Sequence, residues 1–452
     1  MEGRTTPVEI IHSTLHTDKL YWVSGSAPPR NMPNSFYFNI DTELVYEPFC
    51  SDFGPLNLAM TYKYCVELEK LLKSDEYLNC KIYHYSSQHF TKRANAAFLM
   101  GAFQILILQR SAEEAWEPFS LLEPFTPFRD ASFGGCTYQC SILHCLQGLQ
   151  YAVQLGWFSL RGFNLEEYEK NERVENGDFN WIIPGKFIAF SSPAPYSQDG
   201  EGWRTWTPED YAPVFKRMGV TAVVRLNKKT YEAERFTKFG IRHYDLYFLD
   251  GSVPSDAIVN RFLRIAESEP GVIAVHCKAG LGRTGTLIGC YAMKHFRFNA
   301  AEFIGYIRIC RPGSVLGPQQ QFLCDVQASM HSLGEAKFDA LSGVFAGLEV
   351  SEEPKQFESA KMSPLEKYRA KFGDTGQAER LLSQKKSNHN SPTLNKTPEP
   401  AQRTPPSGSP MRTGSTGPVP TAKRVLTKPQ MFSPEKPGRG SQRASLTWLS
   451  RP

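Results

Sequence analysis

One cysteine, one arginine six positions later and three glycines share a single short stretch, Val272-Ile-Ala-Val-His-Cys-Lys-Ala-Gly-Leu-Gly-Arg-Thr-Gly285. An apolar run leads in and Thr286-Leu-Ile-Gly-Cys-Tyr-Ala-Met293 follows. The pattern predicts a buried strand ending at His276, a tight loop, and a helix starting near Arg283. A helix N-terminus aims unpaired N–H groups and a positive dipole end into such a loop, which makes an anion seat. The loop is Lys278, Ala279, Gly280, Leu281, Gly282 and Arg283, with Cys277 at its floor. Those surroundings favour a thiolate over a thiol. Arg283 offers a planar fork that holds two phosphate oxygens at once. Together they point to nucleophilic attack on a phosphate monoester through a cysteinyl-phosphate intermediate. Thr284 is placed to hydrogen-bond the sulfur as it leaves, although its hydroxyl suits a helix cap equally well. His276 reads as an orienting group, since a thiolate needs no base. The competing reading is a structural turn with a small buried cysteine.

Cleavage also needs a proton for the departing oxygen. Asp250, in Leu249-Asp-Gly-Ser-Val-Pro254, follows an apolar strand on a loop before the catalytic strand. Asp-Gly is also a common turn pair, so a solvated aspartate is the other reading. Asp245 competes, but mid-strand beside Tyr244 and Leu246 an unpaired carboxylate is costly. A second loop, Arg311-Pro-Gly-Ser-Val-Leu-Gly-Pro-Gln-Gln-Gln-Phe322, precedes a helix predicted from Pro318. Its Gln319, Gln320 and Gln321 either orient the hydrolytic water or are solvated residues of an ordinary helix start.

The elements that must position these groups alternate in α/β fashion. Strands are predicted at Asn180-Trp-Ile-Ile-Pro184, Phe187–Phe190, Val220–Arg225 and His243–Phe248, with helices at Tyr231–Phe239 and Ser255–Ser268. A mostly parallel central sheet with helices on both faces is expected. Earlier in the chain, Lys81-Ile-Tyr-His-Tyr-Ser86 and Ala94–Leu108 repeat the strand–loop–helix plan, with Tyr85 where the nucleophile would stand. This is either a degenerate copy or a common βα unit. Between the two lies Asn164–Glu175, acidic and helix-forming, broken by Asn176-Gly-Asp178. After about residue 355, Pro, Ser, Thr, Lys and Arg dominate, which predicts disorder.

The 452 residues carry a formal net charge of +5, too small to suggest a chain dominated by nucleic-acid binding. No apolar run is long enough to span a bilayer and no leader is read at Met1, so neither nucleic acid nor membrane is an expected partner. Ten scattered cysteines suit a reducing compartment. Cys136, Cys140 and Cys145 with His144 match no zinc spacing and read as core residues, Cys136 and Cys140 on one helix face. No metal and no cofactor is expected.

The Cys277 loop resembles the signature of the protein tyrosine phosphatase superfamily in its dual-specificity branch. Together with Asn180–Pro184, Leu249–Pro254 and Arg311–Phe322 it closely resembles the cell-division-cycle-fourteen, or mitotic-exit, phosphatases, over about residues 14 to 330. That resemblance implies an α/β chain with two tandem dual-specificity-phosphatase-like domains. The expected boundaries are a non-catalytic domain at 1–160, an acidic linker at 161–179, a catalytic domain at 180–345 and a disordered tail at 346–452. It assigns Cys277 as nucleophile, Arg283 as phosphate clamp and Asp250 as general acid. It makes Glu169, Glu172 and Asp178 a specificity groove, against a default of a solvated helix face. Implied substrates are phosphoproteins bearing Ser-Pro sites with a basic residue further on, and phosphotyrosine. Cytoskeletal or spindle partners are expected with it. So is a location in the nucleus and cytoplasm, extending to nucleolus, centrosome or basal body and spindle. Two other functions compete. A phosphoinositide phosphatase is disfavoured by Leu281 and the acidic linker, and a phosphoprotein-binding scaffold by the intact Cys277, Arg283 and Asp250. In the tail, Ser363, Ser391, Thr397, Thr404, Ser409 and Ser433 each precede proline, and Ser433-Pro-Glu-Lys436 looks like a substrate.

Overall fold

The computed structural model describes residues 8–9, 19–26, 32–122, 124–133, 135–136, 138–200, 202–342 and 377–390. Two sheets organise residues 8–342. The first has the order β1-β2-β4-β3, from β1 (Val8–Glu9), β2 (Leu20–Gly25), β3 (Ser35–Phe38) and β4 (Lys81–Ser87). β2 and β3 run parallel to β4, while β1 is antiparallel to β2. Helices α1 (Leu58–Lys73), α2 (Phe90–Leu106), α3 (Ala112–Ser120) and α4 (Ile142–Gln154) accompany this sheet. α2 is buried almost all round, from Ala94 to Ile105, as its largely apolar sequence requires, and the polar Asn95 and Gln104 within it donate to backbone carbonyls.

The second sheet has the order β5-β6-β9-β7-β8, from β5 (Phe179–Ile183), β6 (Phe187–Phe190), β7 (Val220–Arg225), β8 (Arg242–Asp245) and β9 (Val272–His276). Only the β5–β6 hairpin is antiparallel. β9 is central and every residue of it is buried, so it reads as a continuous apolar run rather than an alternation. The sheet is flanked by α6 (Pro208–Arg217), α7 (Glu234–Thr237), α8 (Asp256–Ser268), α9 (Gly282–Phe296), α10 (Ala300–Cys310) and α11 (Pro318–Ser342). α8 buries Val259, Phe262, Leu263 and Ala266, a single helical stripe.

The lobes meet where α4 crosses α10 at close range. A Cβ on Gly148 would lie 2.2 Å from the Glu302 carbonyl oxygen, and one on Gly305 would lie 2.9 Å from the Cys145 nitrogen. No side chain fits at either point.

Five expectations need correction. The linker helix α5 (Leu165–Asn171) stops before Glu175, because a 3₁₀ turn at Val174–Asn176 and left-handed Gly177 (φ 104°) and Asp178 (φ 48°) end it. The helix at 231–239 shrinks to α7, and the strand at 243–248 ends at Asp245. Cys136 and Cys140 do not share a helix face. Cys136 lies in irregular chain with its thiol on the Tyr138 carbonyl, while Cys140 Sγ sits 3.6 Å from Cys145 Sγ. Within the span read as a disordered tail, residues 377–390 form a helix, α12 (Gln377–Asn390), packed on the second lobe. Ala378, Leu381 and Leu382 supply the apolar face that composition hid. The six Ser-Pro and Thr-Pro sites lie outside the described residues.

Candidate active site

β9 delivers Cys277 to the floor of a loop that closes at the first turn of α9. Cys277 is buried. The loop pivots on Gly280, whose φ of 67° is left-handed and whose absent Cβ would fall 2.0 Å from the Phe190 carbonyl oxygen. Only glycine fits there. The loop carbonyls are tied down by Arg311, which donates from Nε to Gly280 O at 2.8 Å and from Nη2 to Ala279 O at 3.0 Å. With its carbonyls engaged outward, the loop keeps its N–H groups for an anion.

His276 sits beneath Cys277 without exposure to solvent. Its Nδ1 lies 2.9 Å from the Cys277 carbonyl, which can only accept, so Nδ1 carries the proton. Nε2 then accepts from the Tyr231 hydroxyl at 2.6 Å. That hydroxyl has a second neighbour, His243 Nε2 at 3.0 Å, which must donate to it. Burial holds His276 well below its ordinary range and His243 at about 4. Both rings are therefore neutral, and His276 is the positioning group the sequence suggested. Tyr231 is itself fixed by buried Arg225, which donates to its carbonyl and forks onto Asp245 at 2.6 and 2.9 Å. Asp245 is thus engaged by Arg225, at the sheet edge rather than in an unpaired mid-strand position.

Arg283 is fully buried. Its Nη1 donates to Phe248 O at 2.9 Å and Leu226 O at 3.3 Å, which orients the guanidinium plane. Its Nη2 faces Asp250 Oδ1 at 3.1 Å. Asp250 comes from the turn after β8, where Gly251 takes a φ of 71° and Ser252 donates back to Leu249 O. The structure thus brings Asp250 and Arg283 together beside the Cys277 loop. Thr284 Oγ1 is buried and makes no hydrogen bond with the described residues.

The three glutamines part company. Gln319 donates to Ser252 O at 3.1 Å and accepts from Leu316 N, which joins the Asp250 loop to the head of α11 beside Gly282. Gln320 turns inward to Arg308, and Gln321 turns outward to Asp325. The acidic linker residues also differ. Asp178 is buried between Arg311 at 2.8 Å and Lys385. Burial would raise its carboxyl, but those two cations outweigh it and hold the group below the ordinary range. Burial pushes Glu172 up to about 7, with Lys385 opposing, and its carboxylate accepts from Asn57 at 3.3 Å. Glu169 is half-exposed and pairs with Lys63 of α1.

Arg311, Tyr231 and Arg225 were given no role by sequence. Arg311 stood inside a quoted motif, and an arginine directly ahead of a Pro-Gly loop was its only signal.

A buried parallel strand feeding a Cys-x5-Arg loop, with an aspartate on the preceding turn, is the layout of cysteine-based dual-specificity phosphatases. Family models agree. Residues 14–152 match the N-terminal half of dual specificity protein phosphatases, and residues 200–297 match a DSP-PTPase phosphatase of polymorphic toxin systems. The chain is 58% identical to human dual specificity protein phosphatase CDC14A over 322 residues, 70% of this chain and 54% of that one. It is 49% identical to human CDC14C over 328 residues, 72% and 73% of the two chains. Identity to the tyrosine-protein phosphatase cdc-14 of Caenorhabditis elegans is 42% over 346 residues, 74% and 49%. Among solved structures, Tk-PTP in its active form matches at 23% identity and a TM-score of 0.28, covering 35% of this chain and 96% of that one. The chain belongs to the CDC14 family of dual-specificity phosphatases. It spans about half the length of the CDC14A relatives it matches.

Proposed function

We propose that the chain is a cysteine-dependent protein phosphatase that hydrolyses phosphoserine and phosphothreonine at Ser-Pro and Thr-Pro sites, and phosphotyrosine. The observation that carries this reading is Asp250 within 3.1 Å of Arg283 beside the Cys277 loop. An incoming phosphate takes the Arg283 fork and the loop N–H groups. It removes the guanidinium from Asp250 and sets phosphate oxygens nearby, both of which favour a protonated carboxyl. Cys277 Sγ attacks phosphorus, the bond to the serine oxygen breaks, and Asp250 gives that oxygen its proton. Water then attacks the cysteinyl phosphate and Asp250 takes its proton. Thr284 donates to the departing sulfur, and Gln319, at the head of α11 and hydrogen-bonded to the Asp250 loop, orients the water. The Cys277 sulfur is the nucleophile of the first step and the leaving group of the second, where water attacks.

The linker supplies substrate choice. Glu172 and Asp178 form an acidic seat for a basic residue after the scissile serine, with Glu169 at its edge. The same charges repel a polyanionic lipid headgroup. A role in cell-cycle control, cytoskeletal or spindle partners, and a nuclear and cytoplasmic location follow from the family alone. Imaging of the tagged chain through division tests them. The activity itself is tested by phosphate release from a Ser-Pro-x-Lys phosphopeptide and a soluble phosphoinositide, with Cys277→Ser as control. Faster turnover of the lipid headgroup would replace this reading with a lipid phosphatase.

A further inference from the structure

The loop that leads to Gln319 is held in part by the other lobe. Between Arg311 and Pro318 the chain makes three left-handed steps, at Gly313 (φ 81°), Val315 (φ 60°) and Gly317 (φ 54°). Glycine takes that conformation freely, but a β-branched valine takes it only under constraint. Some of the constraint comes from the second lobe, where buried Arg308 donates from Nε to Ser314 O at 3.1 Å and from Nη2 to Val315 O at 2.8 Å. Another part comes from the first. The Gly317 N–H donates to Asp130 Oδ2 at 2.7 Å, across 187 residues of sequence. Gly317 O accepts from Gln320 Nε2 at 3.2 Å, so this residue is gripped through both its donor and its acceptor. Two positions on stands Gln319, which accepts from Leu316 N in the same loop and donates to Ser252 O beside Asp250.

Asp130 suits that grip. It is buried, yet its carboxyl stays ionised. Burial would raise it, but the Ser132 hydroxyl, the Gly317 N–H and the charge of Arg308 outweigh burial and hold it below the ordinary range. A hydrogen bond to an ionised acceptor is about twice as strong as one between neutral groups. The segment that carries Asp130 is itself pinned, because Phe128 and Cys140 exchange backbone hydrogen bonds at 2.9 and 3.3 Å on either side of it. Its next residue, Ala131, joins Phe49, Leu281 and Leu316 in one apolar cluster. Phe49, also of the first lobe, lies against Gly313, where a Cβ would come within 2.7 Å of its ring. The first lobe thus touches the loop at both of its glycine turns.

We propose that Asp130 is a positioning residue for the second chemical step: the first lobe fixes the loop before α11 and, through it, the Gln319 amide that orients the hydrolytic water. This role rests on the phosphatase reading above. Formation of the cysteinyl phosphate uses Cys277, Arg283 and Asp250, which stand on other loops, so the effect belongs to breakdown of the intermediate. The test follows phenol release from an aryl phosphate and loss of the cysteinyl phosphate separately, by rapid quench on the full chain. In Asp130→Ala, breakdown should slow about 10- to 100-fold, the scale of a displaced catalytic group, while formation stays within about 2-fold. kcat and KM should then fall together and leave kcat/KM in place. Asp130→Asn, which still presents an oxygen to Gly317, should recover most of the loss. On a Gln319→Ala background, Asp130→Ala should slow breakdown no further, because the two act as one unit. Asp130→Ser, whose hydroxyl is too short to reach Gly317, takes the place of the alanine variant should that one fail to fold. Unchanged breakdown, equal losses in both steps, or additive losses with Gln319→Ala would each overturn the proposal. Absence of any cysteinyl phosphate in the wild type would sink the phosphatase reading instead. Exchange of the Gly317 amide, unaltered in Asp130→Ala, would in that case overturn the grip itself.

Discussion

Each lobe sets a strand ahead of a helix, and each strand carries a buried histidine held by a tyrosine hydroxyl. In the first lobe Tyr64 meets His84 at 2.8 Å; in the second Tyr231 meets His276 at 2.6 Å. Burial lowers both histidines, His84 to about 3. The corners differ in the length of chain between strand and helix. Only Gln88 and His89 separate β4 from α2, whereas five residues, Cys277 to Leu281, separate β9 from α9. Two residues have too few amides to encircle an anion. After His84 stands Tyr85, which donates to Gly25 O, and Asp41 caps the Ser87 N–H at 2.9 Å. A cavity of about 250 Å³ does open at the head of α2, but two carboxylates, Asp41 and Asp52, line it against one cation, Lys92, a balance that disfavours a phosphate. The histidine–tyrosine pair is thus a device for holding the strand–helix corner. Loop length, Cys277 and Arg283 make the second lobe's corner the candidate active site.

The largest effect should come from moving the nucleophile. Cys277→Ser should lower turnover of a phosphopeptide by roughly 10⁴-fold or more, and adding Tyr85→Cys to that variant should restore none of it. Recovery of steady-state phosphate release would show that the short corner can cradle phosphate after all. Next, Asp250→Ala should slow a phosphoserine peptide about 10²–10⁴-fold. It should slow an aryl phosphate with an acidic leaving group far less, because that oxygen leaves without a proton. Asp41→Ala, at the first lobe's corner, should leave both rates alone; equal losses on the two substrates in Asp250→Ala would make Asp250 structural. Smaller still, Tyr64→Phe and Tyr231→Phe should each lower unfolding free energy by about 1–3 kcal/mol, the cost of orphaning a buried histidine nitrogen. Only Tyr231→Phe should also reduce kcat, and matched kinetic losses would break the distinction between the lobes. The smallest effect concerns pH. Glu172, pushed up to about 7 by burial, gains charge as pH rises from 6 to 8. Preference for Ser-Pro-x-Lys over Ser-Pro-x-Ala should grow over that range by up to about 5-fold, the scale of a 1 kcal/mol ion pair. The ratio should stay flat in Glu172→Gln.

The catalytic corner was legible because its information is local. An apolar run, a glycine loop and a helix start sit in 22 consecutive residues, 272–293, and the helix begins one residue from its expected position. The strands of the second sheet were legible for the same reason. What escaped joins distant positions. Arg311 reaches 31 residues back to Gly280 and 131 back to Asn180, and Tyr231 reaches 45 forward to His276. Periodicity carries no trace of such pairs. Helix α12 escaped differently. Its fourteen residues contain neither proline nor glycine inside a span rich in both, and that gap was its signal. An average over a hundred residues concealed it.

Arg311 has a consequence for how such an enzyme diversifies. The same guanidinium grips the carbonyls of the Cys277 loop and the Asp178 carboxylate of the proposed substrate groove. Taste and speed hang on one side chain. A lineage that altered position 178 to accept new targets would loosen the loop that performs the chemistry, and selection would meet the two effects as one. Novelty in target choice is left to Glu172 and Glu169, which hold Asn57 and Lys63 instead of Arg311 and can drift while the catalytic loop stays taut.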